Sequence, residues 1–283
     1  MLKGAHIYRR LVVPGALVVL MLFAFAPAAL AASNHSTQPD WSNGVKQHYL
    51  ALGDSLAYGY QPCLLTSPPT CSTADGYVPD LFKSLQSEGV KDYLNLGCPG
   101  ETSSSLINGG ICPYSPFSSQ LAAAVAYLQG NAGKVSPVTL DVGANDMLNS
   151  ANFNPSTCVV NQSGFWTSLK TLDANLTGTI LRELKGALTV KGRVTGEIVM
   201  MNYYDPLQNI CPNSVPYSQI INRHLANDVR GFGSIVNVFH AFGGPKSPNP
   251  NICTLTWMCS VGDIHANNKG YRVIADTFED AIL

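Results

Sequence analysis

The chain has 283 residues, 46% of them hydrophobic and 12% charged, with a formal net charge of −1. That is enough apolar material for one globular domain with a sizeable core. No basic run occurs outside the N-terminus, which argues against the phosphate-tracking surface of a nucleic-acid binder, and the low charged share beside many Ser, Thr, Asn and Gly residues suits an extracellular protein.

Residues 1–32 read as a secretory signal peptide. Lys3, Arg9 and Arg10 make a positive start, residues 11–25 are apolar apart from Pro14 and Gly15, and Ala29-Leu30-Ala31 puts small residues where a signal peptidase reads. An uncleaved N-terminal anchor is the alternative, because the apolar run is close to spanning length. Cleavage leaves 14 basic against 18 acidic residues, a balance of −4. Residues 33–46 are polar and predicted to be a flexible lead-in, and residues 47–283 to be one domain.

A short apolar run over 48–53 predicts the first strand, which ends in Gly53-Asp54-Ser55. A loop carrying Cys63, Pro68-Pro69 and Cys71 follows, then a helical pattern over 75–88. Residues 92–98 predict a second strand, 118–129 an Ala-rich helix, and 136–146 a third strand ending in a Gly-containing turn. Leu169, Leu172, Leu176, Ile180, Leu184 and Leu188 stand at helical spacing and predict one helical stretch over 164–191. A fourth strand is predicted over 196–206, a helix over 216–230, a fifth strand over 233–242 and a closing helix over 267–283.

Continuously apolar strands separated by helices imply a parallel sheet covered on both faces. The predicted fold is therefore an α/β/α three-layer sandwich with a central parallel sheet of about five strands. Functional groups in such sheets gather at the carboxyl ends of the strands. The polar residues closing the first three strands, Asp54-Ser55, 97–102 and 143–146, are thus expected to face one crevice.

The eight cysteines all lie beyond the leader, and an even number in an exported chain reads as disulfides. Sequence proximity suggests Cys63–Cys71, Cys98–Cys112 and Cys253–Cys259, leaving Cys158–Cys211, although eight cysteines allow 105 pairings. No Cys-x-x-Cys pair and no His/Cys spacing suggests zinc.

Ser55 follows the first strand. A serine becomes a nucleophile only when a base takes its proton and the oxyanion formed is held. Taken alone it reads first as a helix-capping serine. Of the histidines beyond the leader, His35 is in the lead-in, His48 opens the first strand at the wrong end, His224 is mid-helix, and His240 closes the fifth strand. His265 precedes the last helix with Asp263 two residues before it, and a catalytic histidine needs its far nitrogen held by such an acceptor. The "GCPGETS" stretch offers backbone N–H groups around Gly100, and "GAND" offers the uncharged amide donor of Asn145. Asp146 is expected to brace that loop, and Gly97 to let the strand end turn tightly.

Together "GDSL" (53–56), "NLGCPGETS" (95–103), "GAND" (143–146) and "DIHANNKGY" (263–271) resemble four defining blocks of the SGNH hydrolases, the GDSL esterase/lipase family, over residues 49–275. The resemblance implies a flavodoxin-like fold and ester hydrolysis through an acyl-serine. It assigns Ser55 as nucleophile, His265 as base, and the Ser55 and Gly100 N–H groups with the Asn145 amide as oxyanion donors. It implies no metal or organic cofactor, and a monomer acting on a small-molecule, lipid or acylated carbohydrate ester. No stable membrane insertion is expected after cleavage. A polysaccharide O-acetylesterase or acyltransferase using the same site is the alternative, and a non-catalytic secreted binding protein a further one. The family's last block usually places its acid three residues before the histidine, where this chain has Gly262. Either Asp263 reaches His265 from one residue closer, or a backbone carbonyl near Gly262 holds the ring. The loops over 61–74 and 103–115 are expected to wall the pocket, with Leu64, Leu65, Tyr114 and Phe117 as candidate acyl contacts.

Overall fold

The computed structural model describes residues 43–149 and 152–283. The predicted signal peptide and residues 33–42 of the lead-in lie outside the described residues. The end of the lead-in is tied down: Asn43 Nδ2 donates to Glu197 Oε1 (2.8 Å) and the Lys46 N–H to the Ser136 carbonyl (2.9 Å).

Five parallel strands form the central sheet: β1 (His48–Gly53), β2 (Asp92–Asn95), β3 (Val135–Asp141), β4 (Ile198–Met201) and β5 (Ser234–Val236). Their order is β2-β1-β3-β4-β5. The chain adds β2 to one side of β1 and then crosses to add β3 on the other. That reversal opens a crevice beyond the carboxyl ends of β1 and β3, where Gly53 and Asp141 stand opposite each other.

All seven residues of β3 are buried, as a central strand covered on both faces requires. Its polar members are satisfied: Thr139 Oγ1 and Tyr49 OH lie 2.8 Å apart, and Ser136 Oγ accepts the Glu197 N–H. Val135 pairs with His48 and Val138 with Leu50, so Ser136 and Pro137 together face Tyr49 in a bulge. A residue with no N–H is tolerated there, where the ladder is already interrupted.

The helices in chain order are α1 (Ser55–Tyr58), α2 (Tyr77–Ser87), α3 (Ser103–Asn108), α4 (Gln120–Gly130), α5 (Ala144–Met147), α6 (Gln162–Asn175), α7 (Leu181–Ala187), α8 (Val215–Asp228), α9 (Val238–Ala241), α10 (Pro250–Leu255), α11 (Met258–Val261) and α12 (Asn268–Ile282). On one face α12 packs against α2, α9 and α10. On the other, α4 packs against α3 and α7, and α6 against α3, α5 and α8. The three-layer α/β/α expectation holds.

The strands are shorter than predicted because side chains at their ends capture the backbone. Beyond β4, Asn202 Oδ1 accepts the Phe239 N–H and Asp205 Oδ1 the Leu207 N–H. Beyond β5, Asn237 Oδ1 accepts the His240 N–H and starts α9, so His240 sits exposed on a helical turn rather than at a strand end. The helical stretch over 164–191 divides into α6 and α7 around a π-helical turn at Leu176–Ile180, and gives way at Thr189–Val190 to a small hairpin. Thr167, Thr171 and Thr177 all bond back to the preceding turn, a habit that loosens and bends helices.

All four cysteine pairs form as sequence proximity suggests: Cys63–Cys71, Cys98–Cys112, Cys158–Cys211 and Cys253–Cys259.

Candidate active site

Ser55 is the first residue of α1, and it is not the cap. Asp54 caps the helix, its Oδ1 accepting the Leu56 N–H at 2.9 Å. The Ser55 hydroxyl is left to face His265 Nε2 at 2.8 Å. The residues before it are fixed by β3. The Asp54 N–H donates to Asp141 Oδ1 (2.7 Å), whose other oxygen accepts from Tyr77 OH (2.9 Å). A Cβ at Gly53 would fall 1.6 Å from Asp141 Oδ1, and its φ is +150°, so only glycine fits. Gln120 clamps the same residue, accepting the Gly53 N–H and donating to the Gly53 carbonyl.

Both acids beneath Ser55 are fully buried. Burial pushes the Asp54 carboxyl up to about 6, against the pull of the Leu56 N–H, the Tyr203 hydroxyl and the nearby His265. Burial and the neighbouring Asp54 push Asp141 well above the ordinary carboxylate range.

His265 lies 210 positions from Ser55 in sequence. Its loop is anchored on three sides: the Trp257 N–H donates to the His265 carbonyl, Tyr204 OH to the Ile264 carbonyl, and Thr256 pairs with Ala266. Asn267 then caps α12 through the Lys269 and Gly270 N–H groups, and the Cys253–Cys259 disulfide flanks Trp257. The Tyr60 ring lies 4.5 Å from the imidazole, centroid to centroid.

Asp263 Oδ1 stands 2.7 Å from His265 Nδ1. Burial pushes this carboxyl up, but hydrogen bonds from the His265 ring and N–H, with the ring's charge, outweigh it and leave the group below its ordinary value. An ionised Asp263 fixes the tautomer: Nδ1 carries the proton, and Nε2 is free to accept the Ser55 hydroxyl hydrogen. Gly262 ends α11 with φ +73°, a left-handed conformation that glycine adopts without strain. The carboxylate that faces His265 is on the next residue.

Gly100 is exposed, with φ +86°. Asn145 Nδ2 donates to the Glu101 carbonyl (2.9 Å), joining the turn after β3 to the turn after β2. An amide nitrogen carries two hydrogens, so one remains for another acceptor. Asp146 braces the loop as expected, accepting the Ser103 N–H and hydroxyl at 2.9 and 2.6 Å. A Cβ at Gly97 would lie 2.4 Å from the Tyr58 nitrogen. Its role is thus to let α1 approach the end of β2, rather than only to permit a tight turn.

Beside Ser55, Asn145 and His265 a cleft of about 940 Å³, open solvent at its mouth included, runs between two walls. One is α5 with Phe153, Val160 and Phe165; the other is 203–207 with the first turns of α8. This corrects the expectation for the pocket walls. Neither 61–74 nor 103–115 lines the cleft, and Leu64, Leu65, Tyr114 and Phe117 are not part of it. Leu65 and Phe117 are exposed, and the Tyr114 hydroxyl is held by Leu96 O and Glu101. The Cys158–Cys211 bridge joins the segment between Phe153 and Val160 in one wall to the segment between Leu207 and α8 in the other.

The sequence reading missed Asp141, Gln120 and Tyr203. Asp141 carried a signal, a carboxylate closing the apolar run "VTLD". The other two look like ordinary helix and strand residues. Of the remaining histidines, His48 pairs with Asp92 (2.7 Å) and His224 with Asp173 (2.9 Å), and neither meets Ser55. Among the described residues no group of three or more His, Cys, Asp or Glu is placed to hold a metal ion.

The family model for GDSL-like Lipase/Acylhydrolase matches residues 49–278. No curated protein matches the chain. Among solved structures, the lipase Lip_vut3 from a goat rumen metagenome superposes with a TM-score of 0.58 at 17% identity, covering 83% of this chain and 96% of that one. The acetylxylan esterase Axe2 from Geobacillus stearothermophilus gives 0.55 at 18% identity, covering 85% and 95%. At these identities the likeness is one of fold.

Proposed function

Because the chain belongs to the GDSL-like lipase/acylhydrolase family and is a carboxylic ester hydrolase, we propose that it cleaves esters through an acyl-enzyme on Ser55. The observation that carries this is the continuous line from Asp263 Oδ1 to His265 Nδ1 (2.7 Å) and from His265 Nε2 to Ser55 Oγ (2.8 Å).

Ser55 Oγ attacks the ester carbonyl carbon as its proton passes to His265 Nε2. Asp263 holds the resulting imidazolium. In this reading the oxyanion is held by the Ser55 and Gly100 N–H groups and the second hydrogen of the Asn145 amide, uncharged donors of the kind that stabilise a developing negative charge. The C–O bond breaks, and His265 returns the proton to the leaving alcohol. Water then attacks the acyl-serine carbonyl while His265 takes its proton. Collapse of this second intermediate releases the acid and gives the proton back to Ser55.

The protein acts outside the cell, with residues 1–32 removed as a signal peptide. Four disulfides support an oxidising compartment. No helix among the described residues is long and apolar enough to cross a membrane.

The test is the Ser55→Ala variant with a chromogenic short-chain ester, beside fluorophosphonate labelling read by mass spectrometry. The variant loses hydrolysis, and in the wild-type protein the label sits on Ser55. Retained activity, or an unlabelled Ser55, overturns the reading.

A further inference from the structure

We infer that the cleft beside Ser55 takes a hydrocarbon chain of the ester, so that the preferred substrates are long-chain acyl or alkyl esters rather than acetylated sugars; this rests on Ser55 being the nucleophile. The argument is what the cleft leaves unbonded. Apart from Ser55, Asn145 and His265 at its head, its polar residues are already engaged with other protein groups, Ser218 with Asp205 among them. Asn152 Nδ2 donates to the Asp146 carbonyl and Ser168 Oγ. Asp205 accepts the Leu207 N–H and the Ser214 hydroxyl. Asn222 bonds the Tyr203 backbone through both its oxygen and its nitrogen. Tyr203 OH is given to Asp54 and Tyr204 OH to Ile264 O, and Tyr217 OH accepts from Gln162.

A sugar ring brings several hydroxyls, each of which must exchange water for a protein partner or be left unsatisfied. This cleft has few partners left to offer. What remains facing the space is carbon, from Met147, Phe153, Phe165, Leu207, Ile221 and Ile264. Such a lining rewards each added methylene and cannot orient a polyol. The cleft also begins at the reacting atoms, since Ser55, Asn145 and His265 are part of its wall. A chain attached to either side of the ester can therefore follow it.

The experiment measures kcat/KM across three sets of substrates. The first is nitrophenyl acetate, butyrate and octanoate, which lengthens the acyl half. The second is ethyl against octyl acetate, which lengthens the alcohol half. The third is acetylated xylo-oligosaccharide. We expect a rise of about tenfold or more with chain length in at least one of the first two sets, with the acetylated oligosaccharide slower than the best simple ester. Ile221→Trp, which fills the cleft, is expected to cut the long-to-short ratio by about tenfold. The wild-type series needs no variant, so the test stands if that protein does not fold. Flat or falling values in both series, a faster acetylated oligosaccharide, or an unchanged ratio in folded Ile221→Trp overturns the inference. If Ser55 takes up an ethoxyfluorophosphonate while both series stay flat, only the cleft assignment falls. If Ser55 takes up no probe, the nucleophile falls with it.

Discussion

One carboxylate oxygen of Asp263 holds His265 twice. Asp263 Oδ1 accepts the His265 backbone N–H at 2.9 Å and faces the ring Nδ1 at 2.7 Å. A side chain that accepts the N–H two residues on closes a local turn. The two-residue spacing therefore makes a single group both the architect of the loop and the partner of the imidazole.

Asp263→Asn keeps a side-chain oxygen for the turn but removes the charge and the tautomer preference. It is expected to lower kcat by about 10³ to 10⁴, the scale seen when a triad aspartate is neutralised in a serine protease. Unfolding temperature reports the turn separately and is expected to change little. A kcat within tenfold of wild type in a folded variant shows that the charge is not needed.

Asp54 links stability to pH against activity. Its carboxyl is raised to about 6 when folded, so folding favours the protonated form. The native state then loses stability as pH rises from the ordinary carboxylate value through about 6. Asp54→Asn keeps an acceptor for the Leu56 N–H, and is expected to gain on the order of 2–3 kcal/mol at pH 8, with a smaller gain at pH 5. It also removes a negative charge near His265, so kcat falls as stability rises. Unfolding at the two pH values, with kcat beside it, checks this; lower stability at pH 8 is the contrary result.

A second acid pair sits between α6 and α8. Asp173 Oδ1 and Asp228 Oδ2 are both buried without a hydrogen-bond partner, and one proton held between them satisfies both. Burial and the Asp173 charge push Asp228 up to about 7, with His224 pulling the other way. The folded protein thus loses stability as pH rises through about 7. Asp228→Asn supplies a permanent donor. Because Asp228 as a whole is only partly buried, screening keeps the effect small, a rise of about 1–3 °C in unfolding temperature at pH 8. The gain is expected to vanish near pH 4, and an equal gain at both pH values removes the shared proton from the account.

The Cys158–Cys211 bridge spans 53 positions. Closing a loop of that length removes about 4 kcal/mol of unfolded-state entropy in the chain-entropy model. The double variant Cys158→Ser/Cys211→Ser is expected to unfold about 8–16 °C lower. Calorimetry of the two oxidised proteins measures this, and a drop under 2 °C shows that the walls stay together without it.

The sheet was legible because burial on both faces leaves unbroken apolar runs, and Ser55, Asn145 and His265 were legible because each follows a strand or precedes the last helix within a short motif. The cleft was not. Its lining comes from 144–165 and 203–222, where Phe165 and Ile221 look like any helix residues turned inward. The cysteine-bearing segments follow the first two strands, yet Leu106 goes into the main core while Leu65 and Ile111 face solvent. Asp141 and Gln120 were hidden for another reason. Both act on Gly53 from distant positions, and nothing in one-dimensional spacing reveals a carboxylate that forbids a Cβ elsewhere.

The distance in sequence between Ser55 and His265 makes recovered activity a clock for the end of folding. On the proposed mechanism, a chain in which β1 and β3 had paired but the His265 loop was not yet seated would have a hydroxyl and no base. Contacts this far apart in sequence carry a large loop-closure cost and tend to form slowly. During refolding from denaturant, turnover is therefore expected to return with the docking of α12 against α2, behind the spectroscopic signal of the sheet.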